Sequence, residues 1–231
     1  MHAENPVIEF EEAGFSHGRT PVFDGVDLTL EPGLFQFLVG PSGSGKTTFL
    51  RLCAMDLIPT TGTVRHFGKR VSPRNRNAIA DMRRRIGVVH QDSGFLDHLS
   101  LIENIALPLT LGGVEADDRT EDIAALLEWV DLGDRVDAFP AELSGGERQR
   151  AALARAVMLS PDVILADEPT GNVDWEMAQR ILTLLIELSR MGKTVLVATH
   201  DLNLIRAAKS RVQARVLRLA GGRIVAAGAD L

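Results

Sequence analysis

Leu34-Phe35-Gln36-Phe37-Leu38-Val39-Gly40-Pro41-Ser42-Gly43-Ser44-Gly45-Lys46-Thr47-Thr48 decides how the rest of the chain is read, because an apolar run passes directly into the pattern G-x-x-x-x-G-K-[ST]. The order is strand, loop, helix. Gly40, Gly43 and Gly45 let the backbone bend so that successive N–H groups point inward at phosphate oxygens, with Pro41, Ser42 and Ser44 completing the loop. Lys46 adds a point charge toward the β and γ phosphates, and Thr47, followed by Thr48, offers a hydroxyl to Mg²⁺. A chance Gly/Ser-rich turn is the structural alternative. The strand-like run before the loop and Phe49-Leu50-Arg51-Leu52 after it weigh against that alternative.

The 231 residues are 45% hydrophobic, enough to bury a substantial core in one large domain or one domain carrying a subdomain. A net charge of -6 gives no bulk reason to expect a nucleic-acid binder. Cys53 is the single cysteine, so an internal disulfide framework is excluded, and its place in the helix after the phosphate loop reads as core packing. The first residues have no basic region leading into an apolar stretch, so no secretory signal is expected. No run approaches the roughly 18 consecutive apolar residues that span a bilayer. A membrane role therefore requires a partner.

Val7 to Phe10, Val26 to Leu30 and Leu34 to Val39 read as strands divided by turn signals at Gly14, His17-Gly18 and Glu31-Pro32-Gly33. Gly62 to Gly68 reads as a short hairpin, and Ile86 to His90 as a strand ending at Gln91. From about Leu99 the spacing turns helical, with Ile123, Leu126, Leu127 and Val130 on one face, and a helical subdomain over about 99–158 is expected. The β/α alternation then returns. Val163 to Ala166 has the continuous apolar character of a parallel strand covered on both faces. A helix over Glu176 to Arg190, a strand over Thr194 to Ala198, a helix from Leu202 and a closing hairpin around Ala220-Gly221-Gly222 complete the chain.

Asp167 and Glu168 stand at the carboxyl end of the 163–166 strand, where open α/β sheets bind ligands. Asp167 is placed to help hold Mg²⁺ directly or through water, and Glu168, pointing the other way, to polarise an attacking water. A helix cap is the structural alternative, since Pro169-Thr170 follow. Leu143-Ser144-Gly145-Gly146-Glu147 opens a second helix with free N–H groups facing outward; taken alone, it is an ordinary helix start with Ser144 as cap and Glu147 closing a capping box.

Taken in order, the phosphate loop, Gln91, Leu143 to Glu147, Asp167-Glu168, Asp174 and His200 resemble the ATP-binding-cassette (ABC) ATPase family over nearly the whole chain. The resemblance implies an α/β fold: a P-loop NTPase domain with a RecA-like core, an N-terminal antiparallel β subdomain and an inserted α-helical subdomain. It implies ATP and Mg²⁺ as ligands and a head-to-tail homodimer. In that dimer the Ser144–Glu147 turn of one copy closes on the γ-phosphate held by the other. By the same resemblance Gln91 reaches the Mg²⁺ and the attacking water, Glu168 is the general base, His200 senses the γ-phosphate and Asp174 bridges the dimer. Family members usually stack an aromatic on adenine after the first strand. This chain has no Tyr, and the matching place falls at His17, with Phe15 two residues earlier; either ring can stack.

Ala166 to Asp174 is similar to the subgroup holding the FtsE, LolD and MacB cassettes. Within it, Phe35 to Gly43, Arg83 to Asp92 and Phe95 to Leu99 are most similar to the FtsE branch, although His90 stands where Phe is usual. That similarity implies a membrane-embedded FtsX-like partner, a peripheral location on the cytoplasmic face of the bacterial inner membrane, and ATP-driven control of septal wall hydrolysis. A lipoprotein-release, exporter or other transporter ATPase is the alternative within the family, and a soluble DNA-associated cassette ATPase the alternative outside transport. Of Phe95, Leu96, Leu99, Ile102 and Ile105, some are expected to line a groove for the partner's cytoplasmic helix and some to pack in the core. The basic stretch Lys69, Arg70, Arg74, Arg76, Arg83, Arg84 and Arg85 lacks interleaved aromatics and reads as a solvated face, so no nucleic-acid partner is expected.

Overall fold

The computed structural model describes residues 5–90, 92–113, 119–171 and 173–226. Strand β1 (Ile8–His17) turns at Gly18 and returns as β2 (Thr20–Leu30). The chain then leaves for a second sheet as β3 (Phe35–Val39), enters helix α1 (Lys46–Cys53) and comes back as β4 (Thr61–His66) on the free edge of β1. The result is a three-stranded antiparallel sheet of order β2-β1-β4.

The first strand is longer than its sequence suggests, because Gly14 is a strand position and not a turn. A Cβ there would lie 2.4 Å from Thr61 Oγ1 and 2.7 Å from Asp24 Oδ1, so the glycine lets strands close in from both sides. The 62–68 segment is not a hairpin either. Its residues pair with β1, and only His66 folds back onto Lys69. Gly62 has φ 66° and a Cβ on it would fall 2.1 Å from the Glu12 carbonyl oxygen.

Beyond this sheet come helix α2 (Arg76–Arg83) and β5 (Ile86–Val89), then the helices α3 (Leu101–Leu111), α4 (Thr120–Trp129) and α5 (Gly145–Val157). β6 (Val163–Asp167), α6 (Trp175–Arg190), β7 (Thr194–Thr199), α7 (Leu202–Lys209), β8 (Ala214–Ala220) and β9 (Arg223–Ala226) complete the order. The large sheet runs β5-β6-β7-β3-β8-β9, parallel throughout except for β9. Both of its faces are covered, which explains the unbroken apolar runs. Phe35, Phe37, Ile164, Ala166, Val195 and Val197 face the helical side, where they meet α3, α5 and α6. Their neighbours Leu38, Val163, Leu165, Leu196 and Ala198 face α1 and the small sheet. This period-two division fixes register, since a one-residue slip would send each side chain to the wrong core.

The basic stretch is tied into the fold at its carboxyl end. Arg83 pairs with Asp56, Arg84 with Asp81, and Arg85 with Asp162 while lying over the Phe67 ring. Cys53 is fully buried, as its place in α1 leads one to expect.

β5 and α5 approach through Gly87, whose missing side chain leaves room for the Ala156 carbonyl oxygen, 2.2 Å from where a Cβ would stand. Gly87→Ala should therefore destabilise the protein by about 3 kcal/mol through backbone overpacking, read as a lower urea midpoint at unchanged slope.

Candidate nucleotide-binding site

Three adjacent strands, β6, β7 and β3, bring their carboxyl ends together. Val39 lies beside Thr199, and Asp167 beside Ala198, so the phosphate loop, the acidic pair and His200 leave the sheet at one edge. This is the place where a parallel sheet exposes loops and helix N-termini to a ligand.

The loop from Gly40 to Gly45 is shaped by its glycines. Gly43 and Gly45 have φ 75° and 104°, and at Gly40 a Cβ would stand 2.5 Å from the Leu219 carbonyl oxygen. Gly45 caps α1 with its backbone alone, without a side-chain bond across the helix N-terminus. Lys46 is 8% exposed; its Nζ donates to the carbonyl of Gly40 at 2.9 Å and lies 3.4 Å from that of Pro41 and 3.6 Å from Glu168 Oε1. Ser44 Oγ is buried without a hydrogen-bond partner. A buried amine with weak partners and an orphaned hydroxyl in one loop fit a polyphosphate, whose oxygens would satisfy both.

Glu168 is the centre of the acidic element. Its backbone sits at φ 45°, a left-handed conformation that costs a non-glycine residue energy and turns the side chain toward the loop. Oε1 lies 2.8 Å from His200 Nδ1, and Oε2 accepts from the Thr199 hydroxyl at 3.1 Å. The capping alternative for Asp167-Glu168 does not hold, since the chain turns here through Gly171 N–H to the Glu168 carbonyl and no helix starts until Trp175. Asp167 is buried, and desolvation raises its pKa, as does the charge of Glu168; a hydrogen bond from Thr47 acts against both. That hydroxyl and carboxylate are hard oxygen donors of the type Mg²⁺ prefers. Among the described residues no group of three His, Cys, Asp or Glu is poised around a metal.

His17 is exposed at the end of β1, while Phe15 is 8% exposed and meets it edge-on at 5.0 Å between centroids. Of the two rings His17 is the exposed one. Gln91 lies outside the described residues. Asp174 caps α6 by accepting from the Met177 N–H at 2.8 Å. Ser144 caps α5 with a complete capping box: Ser144 Oγ accepts from Glu147 N–H at 3.2 Å, and Ser144 N–H donates to Glu147 Oε2 at 2.7 Å. Leu143 is buried just ahead of the cap, and Gly146 admits Met177 at 3.0 Å from a would-be Cβ.

Two contributors escape motif reasoning. Thr199 orients Glu168, and only its position before His200 hints at this. Arg135 donates to Glu147 Oε1 at 2.9 Å across a gap in sequence that carries no signal.

Leu101 and Ile105 are core, while Asn104 Nδ2 donates to the Leu96, Leu99 and Ser100 carbonyls and clamps that loop down. A hollow of about 920 Å³ runs between α2, β5, the end of α3 and the end of α5, past Arg76, Arg84, Val88, Leu111 and Arg155.

The ABC transporter family model matches residues 23–171. Cell division ATP-binding protein FtsE of Escherichia coli (strain K12) is 39% identical over 94% of this chain and 97% of its own length. Methionine import ATP-binding protein MetN of Brucella abortus (strain 2308) is 37% identical over 96% of this chain and 60% of its own. Among solved structures, the dimeric post-hydrolysis state of the ATP-binding cassette MJ0796 bound to ADP and Pi superposes with a TM-score of 0.83 at 31% identity, covering 94% of this chain and 96% of that one.

Glu147 yields a pH prediction. Its hydrogen bond from Arg135, followed by the bonds from Ser144, lowers its pKa from the ordinary 4.5 to about 2. A lowered native pKa adds stability that is full above 4.5 and disappears as pH falls toward 2. Arg135→Ala should therefore lose less stability than the parent protein between pH 6 and pH 3, measured by urea unfolding at each pH.

Proposed function

The chain belongs to the ABC transporter family and is an ATP hydrolase, and from that premise we propose that it is the ATPase subunit of an FtsE-type membrane complex. Two copies close on ATP, each offering its Gly40–Thr48 loop to one nucleotide and its Leu143–Glu147 turn to the other. The dimeric cassette with ADP and Pi, similar over nearly the whole chain, supports this reading. His17 offers its ring to adenine with Phe15 bracing it from below, a division favoured by their burial.

Lys46 releases the Gly40 and Pro41 carbonyls to meet the phosphates. Thr47, Asp167 and Gln91 are the residues that would hold Mg²⁺, which supplies neutralisation of phosphate charge when bound. Glu168 accepts the proton of the water whose oxygen attacks the γ-phosphorus, so that ADP departs as the bond to the β-phosphate oxygen breaks. His200 contacts the γ-phosphate and keeps Glu168 aligned, while Thr199 holds the other carboxylate oxygen. Asp174 meets the second copy while capping its own helix.

Among the described residues no helix is long and apolar enough to cross a membrane. We assign the membrane step to an FtsX-like partner, whose cytoplasmic segment enters the hollow between α2, β5, α3 and α5. Among the described residues no acidic side chain lines that hollow, and Arg76, Arg83, Arg84 and Arg155 do. The complex then lies at the cytoplasmic face of the inner membrane and uses ATP-driven closure to regulate septal wall hydrolysis. The observation that carries the FtsE assignment is 39% identity extending over 97% of that relative. A solute-importer ATPase is the second reading, favoured by the 37% identity to MetN.

Glu168→Gln should lower phosphate release at least about 100-fold while ATP is still bound and a dimer accumulates; unchanged turnover removes Glu168 as the base. Depleting the protein in its host should give cells that elongate without dividing. Normal division with failed methionine uptake would transfer the assignment to the importer reading.

A further inference from the structure

Beside the nucleotide edge lies an apolar patch that the chemistry above does not use. Trp175 is the first residue of α6 and Leu202 the first of α7, and they are 52% and 45% exposed. The two helices follow neighbouring strands, so both residues stand at the start of adjoining helices. Asp174 immediately precedes one, and His200-Asp201 the other. Next to the indole is a hollow of about 440 Å³ lined by Trp175, Asn203, Arg206 and Ala207.

We propose that Trp175 and this hollow form a self-complementary clasp between two copies of the chain. The proposal rests on the ATP-dimer reading above and extends it to a contact outside the nucleotide sites. A two-fold contact brings the same patch together from both sides, so it requires a projecting group and a receiving hollow next to each other on one surface. Trp175 projects, and the Asn203–Arg206–Ala207 hollow receives. The Arg206 guanidinium enters no ion pair among the described residues and stands where a partner's indole face would meet it, a favourable cation–π arrangement. Aromatic anchors with an arginine partner are the groups that concentrate energy in small interfaces. Continuity selects the occupant: the patch directly adjoins Asp174 and His200, the residues assigned to the dimer seam and the γ-phosphate. A second copy seated on the nucleotide therefore already comes close to it.

The test uses the full chain in the Glu168→Gln background with Trp129→Phe, which leaves Trp175 as the only indole. With ATP and Mg²⁺, mass by light scattering should double, while Trp175 emission shifts to the blue and acrylamide quenching falls. Both changes should follow protein concentration together. Trp175→Ala should raise the dimer dissociation constant about tenfold or more, with Trp175→Phe in between and ATP affinity of the monomer unchanged. A doubled mass with an indole as exposed as before, or a Trp175→Ala dimer as tight as its parent, overturns the clasp and leaves the ATP dimer standing. An indole shielded only when a membrane partner binds gives the patch to that partner and likewise overturns it. If mass does not double at all, the dimer reading fails and the clasp fails with it.

Discussion

A buried amine sets the requirements of this fold. Lys46 is almost wholly removed from water at the head of α1, and the cost of burying an ammonium is recovered only through close oxygen partners. Its present partners are the loop's own carbonyls and one oxygen of Glu168. Neutral carbonyls stabilise a cation less than phosphate oxygens do, so the loop is built around a charge that a nucleotide compensates better than the protein does. The glycines, the strand order and the path of the chain through the sheet edge all serve to hold that amine in place.

Glu168 is the second half of the same constraint. One carboxylate is shared by Lys46, His200 and Thr199, residues supplied by α1, the turn after β7 and the end of β7. Because β7 lies between β3 and β6, the histidine strand separates the phosphate-loop strand from the acidic strand, and Glu168 must reach sideways to meet both neighbours. The left-handed backbone at Glu168 achieves that reach. The strain is tolerated because Asp167 before it is locked in the buried strand and the Gly171 N–H closes the turn after it.

How much of this was legible in sequence follows from the range of each interaction. The loop, the acidic pair and the capping box are local patterns, and Gly40 to Thr47, Asp167-Glu168 and Ser144-Glu147 stand where their spacing puts them. The large sheet was legible too, because strands buried on both faces give continuous apolar runs. Gly14 misled because a glycine that admits two neighbouring strands has the same sequence signature as one that makes a turn. Gly62 to Gly68 misled for a similar reason, since its strand character depends on β1, dozens of residues earlier. Arg135 on Glu147 and the clamp on the Leu96–Ser100 loop depend on tertiary contacts with no local pattern. Asn104 illustrates the last case: an asparagine in an apolar helix face gives no warning that it will tie down three carbonyls of the preceding loop.

α5 joins the two surfaces that these long-range contacts define. Ser144 and Glu147 cap one end, and near the other Arg155 donates to the carbonyls of Ser93 and Gly94 and lies over the Phe95 ring. With 13 residues the helix is about 20 Å long and moves as a stiff rod, since bending it would break its own ladder of hydrogen bonds. Arg155 is half-buried there, and desolvation lowers its pKa. Gly87 lets β5 approach the same helix at Ala156, one residue further on. The Ser144 cap and the wall of the basic hollow are thus built on the two ends of one helix.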